Sequence, residues 1–293
     1  MKRSKRLEQI AEAAGKAKLL ADVGCDHGYT ALCALEKGQA EQALCMDINP
    51  GPLSIAVANG KKAGFSDRMQ FLLSDGLRAA ALPEEKLFAG EREKRDAFFR
   101  NAGAGGPSGI SPSVPNPDAI VLSGMGGQLI TDILSLLPTN GAVCAEETKQ
   151  ELRLAAREYL SGVDRLILSP QSEPERVRAF LWEQLDFHIT EEKMLFDEGK
   201  YYLILTASPG REERYDPGDQ QRMTRLRYGF YLFEKRDEVF RCYLEAGQRK
   251  INEILQAVSD RGSRAGSRDE RRTELERELE EMDRFLEHWE EKA

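Results

Sequence analysis

Histidine and cysteine are too sparse and too scattered in this chain to suggest a metal centre. There are 3 histidines and 5 cysteines among 293 residues. Cys25, Cys33, Cys45, Cys144 and Cys242 form no C-x-x-C pair and the histidines lie far apart, so zinc-ligand spacing is missing and no metal is expected. An odd cysteine count suits reduced thiols and a cytoplasmic protein. No run approaches the roughly 20 apolar residues of a membrane span, so no membrane association is expected. The opening stretch MKRSKRLEQIAEAAGK is basic but has no apolar h-region. It reads as a helix with Leu7, Ile10 and Ala14 on one face, not as a signal peptide. A net charge of −8 argues against a large sequence-independent polyanion binder, while leaving room for a local basic patch.

What is present is enough apolar material, 41%, for a real core, and a length that fits one large domain with an appendage. The chain is organised around Leu19–Tyr29, which reads LLADVGCDHGY. Leu19–Val23 has the length of a buried strand. Gly24 and Gly28 break that pattern, with Asp22, Asp26 and His27 around them, and Thr30–Lys37 reads as a helix. Strand, glycine turn and helix open a nucleotide-binding βαβ unit, in which glycines let the backbone come close to a ligand. The turn is not G-x-G-x-x-G, and its acids disfavour a pyrophosphate. They suit a ligand with positive charge and hydroxyls, and S-adenosylmethionine fits that description. An ordinary βα turn is the alternative. Cys25 reads as a small buried filler rather than a nucleophile.

The pattern then repeats. Gln42–Ile48 is a second strand, ending in Asp47 and Ile48. Asp47 lies about 20 residues beyond the first strand, where a Rossmann-like fold places a carboxylate for ribose hydroxyls. Asn49–Pro52 is turn chemistry, and Leu53–Ala63 is a helix. Arg68–Leu73 is a third strand, followed by Ser74, Asp75 and Gly76, a position for contacts to an adenine. The carboxyl ends of parallel strands form the ligand crevice, so acids and glycines at three successive ends converge on one site. Residues 84–117 are charged and then Gly/Pro/Ser-rich, and read as a surface insertion. Asp118–Leu122 is a fourth strand, and Gly124, Met125, Gly126 and Gly127 follow it, giving open backbone where a second substrate meets the cofactor. Helices over Gln128–Leu137, Thr148–Leu160 and Glu175–Leu185, a strand over Arg165–Ser169, and a closing pair Phe187–Leu195 and Lys200–Ala207 complete an α/β domain.

Ser208–Tyr215 reads as a linker. Beyond it Leu226, Phe230, Phe233, Phe240, Leu244, Ile251, Ile254 and Val258 repeat at heptad-like spacing, interrupted at Asp237 and Gly247. After a polar turn over Asp260–Asp269, the pattern returns in Leu275, Leu279, Met282, Leu286 and Trp289. This predicts an antiparallel helical hairpin of coiled-coil type. Arg222, Arg225 and Arg227, with basic residues out to Lys250, form either a solvated face or a phosphate-contacting surface.

The segments Asp22–Tyr29 (DVGCDHGY), Asp47–Pro52, Ser74–Gly76 and Gly124–Gly127 together resemble the bacterial tRNA adenine-N1 methyltransferases that modify adenine 22. The resemblance covers residues 7–207, and the helical hairpin is also a feature of that family. It implies a Rossmann-like class I methyltransferase domain over residues 1–208, a hairpin over 209–293, S-adenosylmethionine as cofactor and tRNA as substrate. It implies cofactor contacts from Asp22, Gly24, Asp26, His27, Gly28, Asp47, Ile48, Asp75, Gly76, Gly124 and Met125. Substrate contacts are then expected from Gly126, Gly127, Arg222, Arg225 and Arg227, and Asp26, His27 and Tyr29 are the catalytic candidates. Where that family tends to have Gln-Pro-Asn, this chain has Ser169-Pro170-Gln171-Ser172. No N-P-P-Y or D-P-P-Y motif follows the fourth strand, which favours a ring nitrogen over the exocyclic amine. The competing reading is a small-molecule or protein methyltransferase in which the hairpin mediates dimerisation. The sequence leaves the oligomeric state open, with a monomer favoured.

Overall fold

The computed structural model describes residues 4–101, 116–211, 222–229, 231–259 and 267–291. The chain opens with α1 (Lys5–Ala13), then alternates β1 (Ala17–Val23), α2 (Tyr29–Glu36), β2 (Ala40–Asp47), α3 (Pro50–Ala63) and β3 (Met69–Leu73). A short α4 (Arg78–Ala81) and α5 (Ala89–Asn101) precede β4 (Ala119–Met125) and α6 (Gly127–Leu134). Next come α7 (Glu146–Leu160), β5 (Arg165–Pro170), α8 (Pro174–Glu183), β6 (Phe187–Asp197) and β7 (Lys200–Pro209). The C-terminal part holds α9 (Arg222–Tyr228), α10 (Tyr231–Glu234), α11 (Glu238–Ser259) and α12 (Ser267–Glu291).

The strands form one 7-stranded sheet in the order β3-β2-β1-β4-β5-β7-β6. β3, β2, β1, β4 and β5 run parallel, and β7 joins antiparallel to both β5 and β6. The chain winds outward from β1 to β3 and then crosses back to β4. The carboxyl ends of β1 and β4 therefore flank a topological switch point, where open α/β sheets bind ligands.

Helices cover both faces, so the central strands are apolar on both sides. The period of two divides β1 between two core clusters. Leu19, Ala21 and Val23 join Leu72, Leu122 and Leu168 on one face, while Leu20 joins Cys45, Phe71, Val121 and Ile167 on the other. The first face also receives Leu232, Phe240, Leu244, Ile251, Leu275 and Met282 from the C-terminal helices. On the second face, Ile10, Ala11 and Ala14 of α1 are buried.

Three features differ from the sequence reading. The first part of the expected surface insertion is folded into the domain: Leu87 and Phe98 are buried, and Glu91 pairs at 2.8 Å with Arg78, a side chain only 1% exposed. Residues 102–115 lie outside the described residues. The expected linker at Ser208 is still strand, because His188 and Phe187 pair with Ser208 and Pro209 at the end of β7. Gly247 does not interrupt a helix. It sits within α11, and a Cβ there would stand 2.8 Å from Met282 Cε of α12, so the missing side chain permits close approach of the two helices. The break expected at Asp237 is real: its Oδ1 accepts the Phe240 N–H at 2.9 Å and caps α11. The turn expected at Asp260–Asp269 falls largely outside the described residues. Among the described residues, no helix is long and apolar enough to cross a membrane.

Candidate functional site: the crevice at the strand ends

The turn after β1 is fixed from β2. The N–H groups of Gly24 and Cys25 both donate to the Met46 carbonyl at 2.9 Å. Asp47 Oδ2 accepts the Asp26 N–H at 3.1 Å, and its Oδ1 accepts the Asn49 N–H at 2.8 Å. Gly24 adopts φ +71°, and Gly28, at +72°, passes so close to α3 that a Cβ would stand 3.0 Å from the Ala56 methyl. Asp22 lies beneath the turn, 2% exposed, with Oδ2 accepting the Ala31 N–H at 3.3 Å. Burial, reinforced by the charge of Asp47, pushes the Asp22 carboxyl up to about 7 against the single opposing hydrogen bond. Cys25 is buried, and its thiol is pushed up by a hydrogen bond with Cys45 and by desolvation. That suits a neutral packing group and not a nucleophile.

Asp26, His27 and Tyr29 sit together but face different ways. Asp26 has φ +50° and a carboxylate 70% exposed, 3.4 Å from His27 Nε2. The His27 carbonyl accepts from Asn59 Nδ2 at 3.0 Å, tying the turn to α3. The Tyr29 ring stands edge-on to His27 at 5.8 Å, and it lines a groove with Leu7, Leu32, Cys33 and Asn59 between α1, α2 and α3. Tyr29 thus packs on the helical layer. Half-buried Ile48 follows Asp47 at the end of β2.

Asp75 is tied to a segment remote in sequence. Its Oδ2 accepts the Thr139 N–H at 2.9 Å and its Oδ1 pairs with the Thr139 hydroxyl, so the carboxylate clamps the loop after α6. Gly76, at φ +59°, leaves the space that Ile133 fills.

The glycines after β4 also divide. Gly24 has room for Met125, whose Cε would stand 2.9 Å from a Cβ placed there, so Met125 reaches the β1 turn. Gly124, at φ +81°, lies against the guanidinium of Arg6. Gly126 and Gly127 abut Ser172 and Glu173 instead. A Cβ on Gly127 would meet the Glu173 carbonyl at 2.5 Å, and the Gly127 N–H donates to the Ser172 carbonyl at 2.9 Å. These glycines serve the packing of α6 on the β5–α8 turn.

The arginines expected on an RNA-facing surface are partly consumed within the protein. Arg222 pairs with Glu183 and lies 5.0 Å over the Trp182 ring, and Arg227 pairs with Glu281 at 2.9 Å. Arg225 lies on the same short helix. Beneath them, Arg178 and Glu192 form a buried pair at 2.7 Å, and Arg178 Nη1 donates to the carbonyls of Leu226 and Arg227. The sequence reading passed over Arg6, Thr139, Arg178 and Glu192. Each acts through partners remote in sequence, so no local motif marks it.

Comparison with known proteins accords with this geometry. The family described as "Methyltransferase domain" matches residues 3–88, and that described as "tRNA (adenine(22)-N(1))-methyltransferase" matches residues 151–288. Over residues 151–288 the chain is thus similar to this tRNA methyltransferase family. A Bacillus subtilis (strain 168) tRNA (adenine(22)-N(1))-methyltransferase is 28% identical over 217 residues, spanning 74% of this chain and 69% of the relative. The crystal structure of the B. subtilis m1A22 tRNA methyltransferase is 24% identical, with TM-score 0.65 over 97% of this chain and 99% of that one. M. capricolum TrmK, solved with the cofactor product S-adenosylhomocysteine, is 17% identical, with TM-score 0.65 over 98% and 99% of the two chains. At these identities the solved structures of the family speak to the fold.

Proposed function

We propose that this chain transfers a methyl group from S-adenosylmethionine to N1 of an adenine in tRNA, at position 22. The observation that carries the reading is the family match over residues 151–288. A strand-end crevice alone suits many methyl acceptors. The matched region holds the β5 end, the β6–β7 pair and the C-terminal helices, and these favour a large nucleic-acid substrate over a small molecule.

The crevice fits the cofactor. Each Asp47 oxygen accepts one backbone N–H and keeps acceptor capacity for ribose hydroxyls. The Gly24 turn offers backbone free of a Cβ, and acids at the ends of β1 and β2 complement a cationic ligand. Gly28 and His27 shape that turn, and the backbone of Asp75–Gly76 borders the adenine end. S-adenosylmethionine supplies an electrophilic methyl carbon on a sulfonium when bound.

The reaction is an in-line displacement in which the S–C bond breaks, sulfur keeps its electron pair and the N1–C bond forms. N1 has a free lone pair, so no strong general base is required. The protein's work is alignment and exclusion of water, which can supply several kcal/mol. Methylation leaves a positive charge on the base. We assign its stabilisation to the exposed Asp26 carboxylate beside the turn. N1 lies on the Watson–Crick edge, so the adenine is captured unpaired or flipped out. Arg236, Arg249 and Lys250 are exposed and, among the described residues, make no ion pair, which leaves them available to phosphates. The proposed setting is the cytoplasm.

The test is methyl transfer from labelled S-adenosylmethionine into unmodified bacterial tRNA, followed by nucleoside analysis. An N1-methyladenosine peak is expected. Cofactor binding without label in tRNA overturns the substrate assignment.

A further inference from the structure

We propose that Arg6 binds a phosphate of the substrate strand at the mouth of the crevice and positions the target adenine for methyl transfer. The proposal rests on the tRNA reading above. α1 brings Arg6 there from far away in sequence. Ser4 Oγ and the Arg6 N–H both donate to Asp197 Oδ2, at 2.7 and 3.1 Å, pinning the first turn of α1 to the end of β6. The Asp197 carboxyl is held below its ordinary range, first by the Ser4 hydrogen bond and then by the Arg6 amide. The Arg6 guanidinium lies 5.0 Å over the Tyr202 ring of β7. Its Nη2 is 3.0 Å from where a Gly124 Cβ would stand, and Gln171 Nε2 is 3.9 Å from the same point. Arg6, Gln171 and Gly124 therefore meet over the ends of β4 and β5, on the acceptor side of the cofactor crevice.

Arg6 is held in place without being satisfied. Among the described residues its guanidinium makes no hydrogen bond and no ion pair, and its Nε is buried without a partner. Asp197 takes its backbone amide instead. Arg78, Arg178, Arg222 and Arg227 all have carboxylate partners. A planar fork of donors parked on an aromatic ring is pre-organised for an oxyanion.

The chemistry selects the class of that oxyanion. The cofactor brings a positive charge and the reaction creates a second one on the base. A further cation is tolerable there only with an anion beside it, and a nucleic acid brings phosphate. Adenine N1 itself is excluded as the partner, because a donor bonded to N1 occupies the lone pair that must attack.

The test compares wild type with Arg6→Ala, Arg6→Gln and Arg6→Lys. Four readouts are taken: tRNA binding as a function of salt, steady-state methylation, calorimetric titration with S-adenosylmethionine and the melting temperature. Arg6→Ala and Arg6→Gln should raise the KM for tRNA about tenfold. They should also make the log–log salt slope of tRNA binding shallower by about 0.7–0.9, the signature of one lost phosphate contact. Cofactor affinity should stay within about twofold of wild type. Arg6→Lys should restore the slope but not the full KM, because a point charge lacks the fork. An unchanged slope and KM in Arg6→Ala overturns the proposal. So does a loss of cofactor affinity and melting temperature together, which marks a structural role. Wild-type protein that binds tRNA but does not methylate it overturns the proposed reaction alone, and the salt slopes still decide Arg6.

Discussion

The backbone amide of Asp26 donates to Oδ2 of Asp47 at 3.1 Å, across 21 residues of sequence. The other oxygen of the same carboxylate holds the Asn49 amide. One side chain thus sets the turn after β1 and the turn after β2, and the crevice between them depends on it. Asp47→Ala should weaken S-adenosylmethionine binding by more than about tenfold, since hydrogen bonds to a charged group are worth about 1.5–3 kcal/mol. Asp47→Asn should do nearly as much harm, because an amide has one oxygen for two N–H donors. Calorimetric titration measures both, and unchanged affinity removes Asp47 from the cofactor site.

Asp22 predicts a pH dependence of unusual sign for a carboxylate. Its folded-state value, about 7, lies above the ordinary 3.8, chiefly through burial. Folding therefore favours the protonated form. The contribution is fully present below about pH 4 and is lost as pH rises toward 7, by at most about 1.4 kcal/mol per pH unit. Asp22→Asn lacks this titration. Relative to wild type, the variant should gain stability as pH is raised from 4 to 7. Urea denaturation across that range checks it, and a difference independent of pH contradicts the burial argument.

Gly127 should resist substitution for a packing reason. Gly127→Ala places a methyl against the Glu173 carbonyl, and main chain cannot swing aside as a side chain can. A cost of about 1–3 kcal/mol is expected, read as a shift of the denaturation midpoint. Gly51→Ala, where nothing lies within 4 Å of the added methyl, is the control and should leave the midpoint nearly unchanged.

Arg178 and Glu192 couple the C-terminal helices to the sheet. Arg178 carries the carbonyls of Leu226 and Arg227, and Glu192 accepts the Tyr231 N–H at 3.0 Å. Arg178→Met leaves an uncompensated buried carboxylate, for which about 3–5 kcal/mol is typical. Hydrogen exchange over residues 222–251 should accelerate more than over β1 to β4. Uniform acceleration would show that the pair supports the whole domain and not that junction.

The sequence by itself determined the alternation of strands and helices and the parallel sheet whose strand ends carry the acids and glycines. Apolar runs such as Leu19–Val23 bury on both faces wherever they lie, and a positive φ at Gly24 or Gly28 is a local demand that glycine meets without help. The same locality made Asp47 legible, because its place follows from its distance to β1. The tertiary structure alone decided what the other side chains do. Asp75, expected beside an adenine, also clamps Thr139, and Gly127, expected to face the substrate, also packs against Glu173. Arg222 and Arg227 met Glu183 and Glu281, while among the described residues the Arg6 guanidinium pairs with no carboxylate. Whether a charge is spent within the fold or left for a ligand depends on partners brought in from remote segments. Periodicity and spacing report only a residue's near neighbours, so those pairings were absent from the pattern.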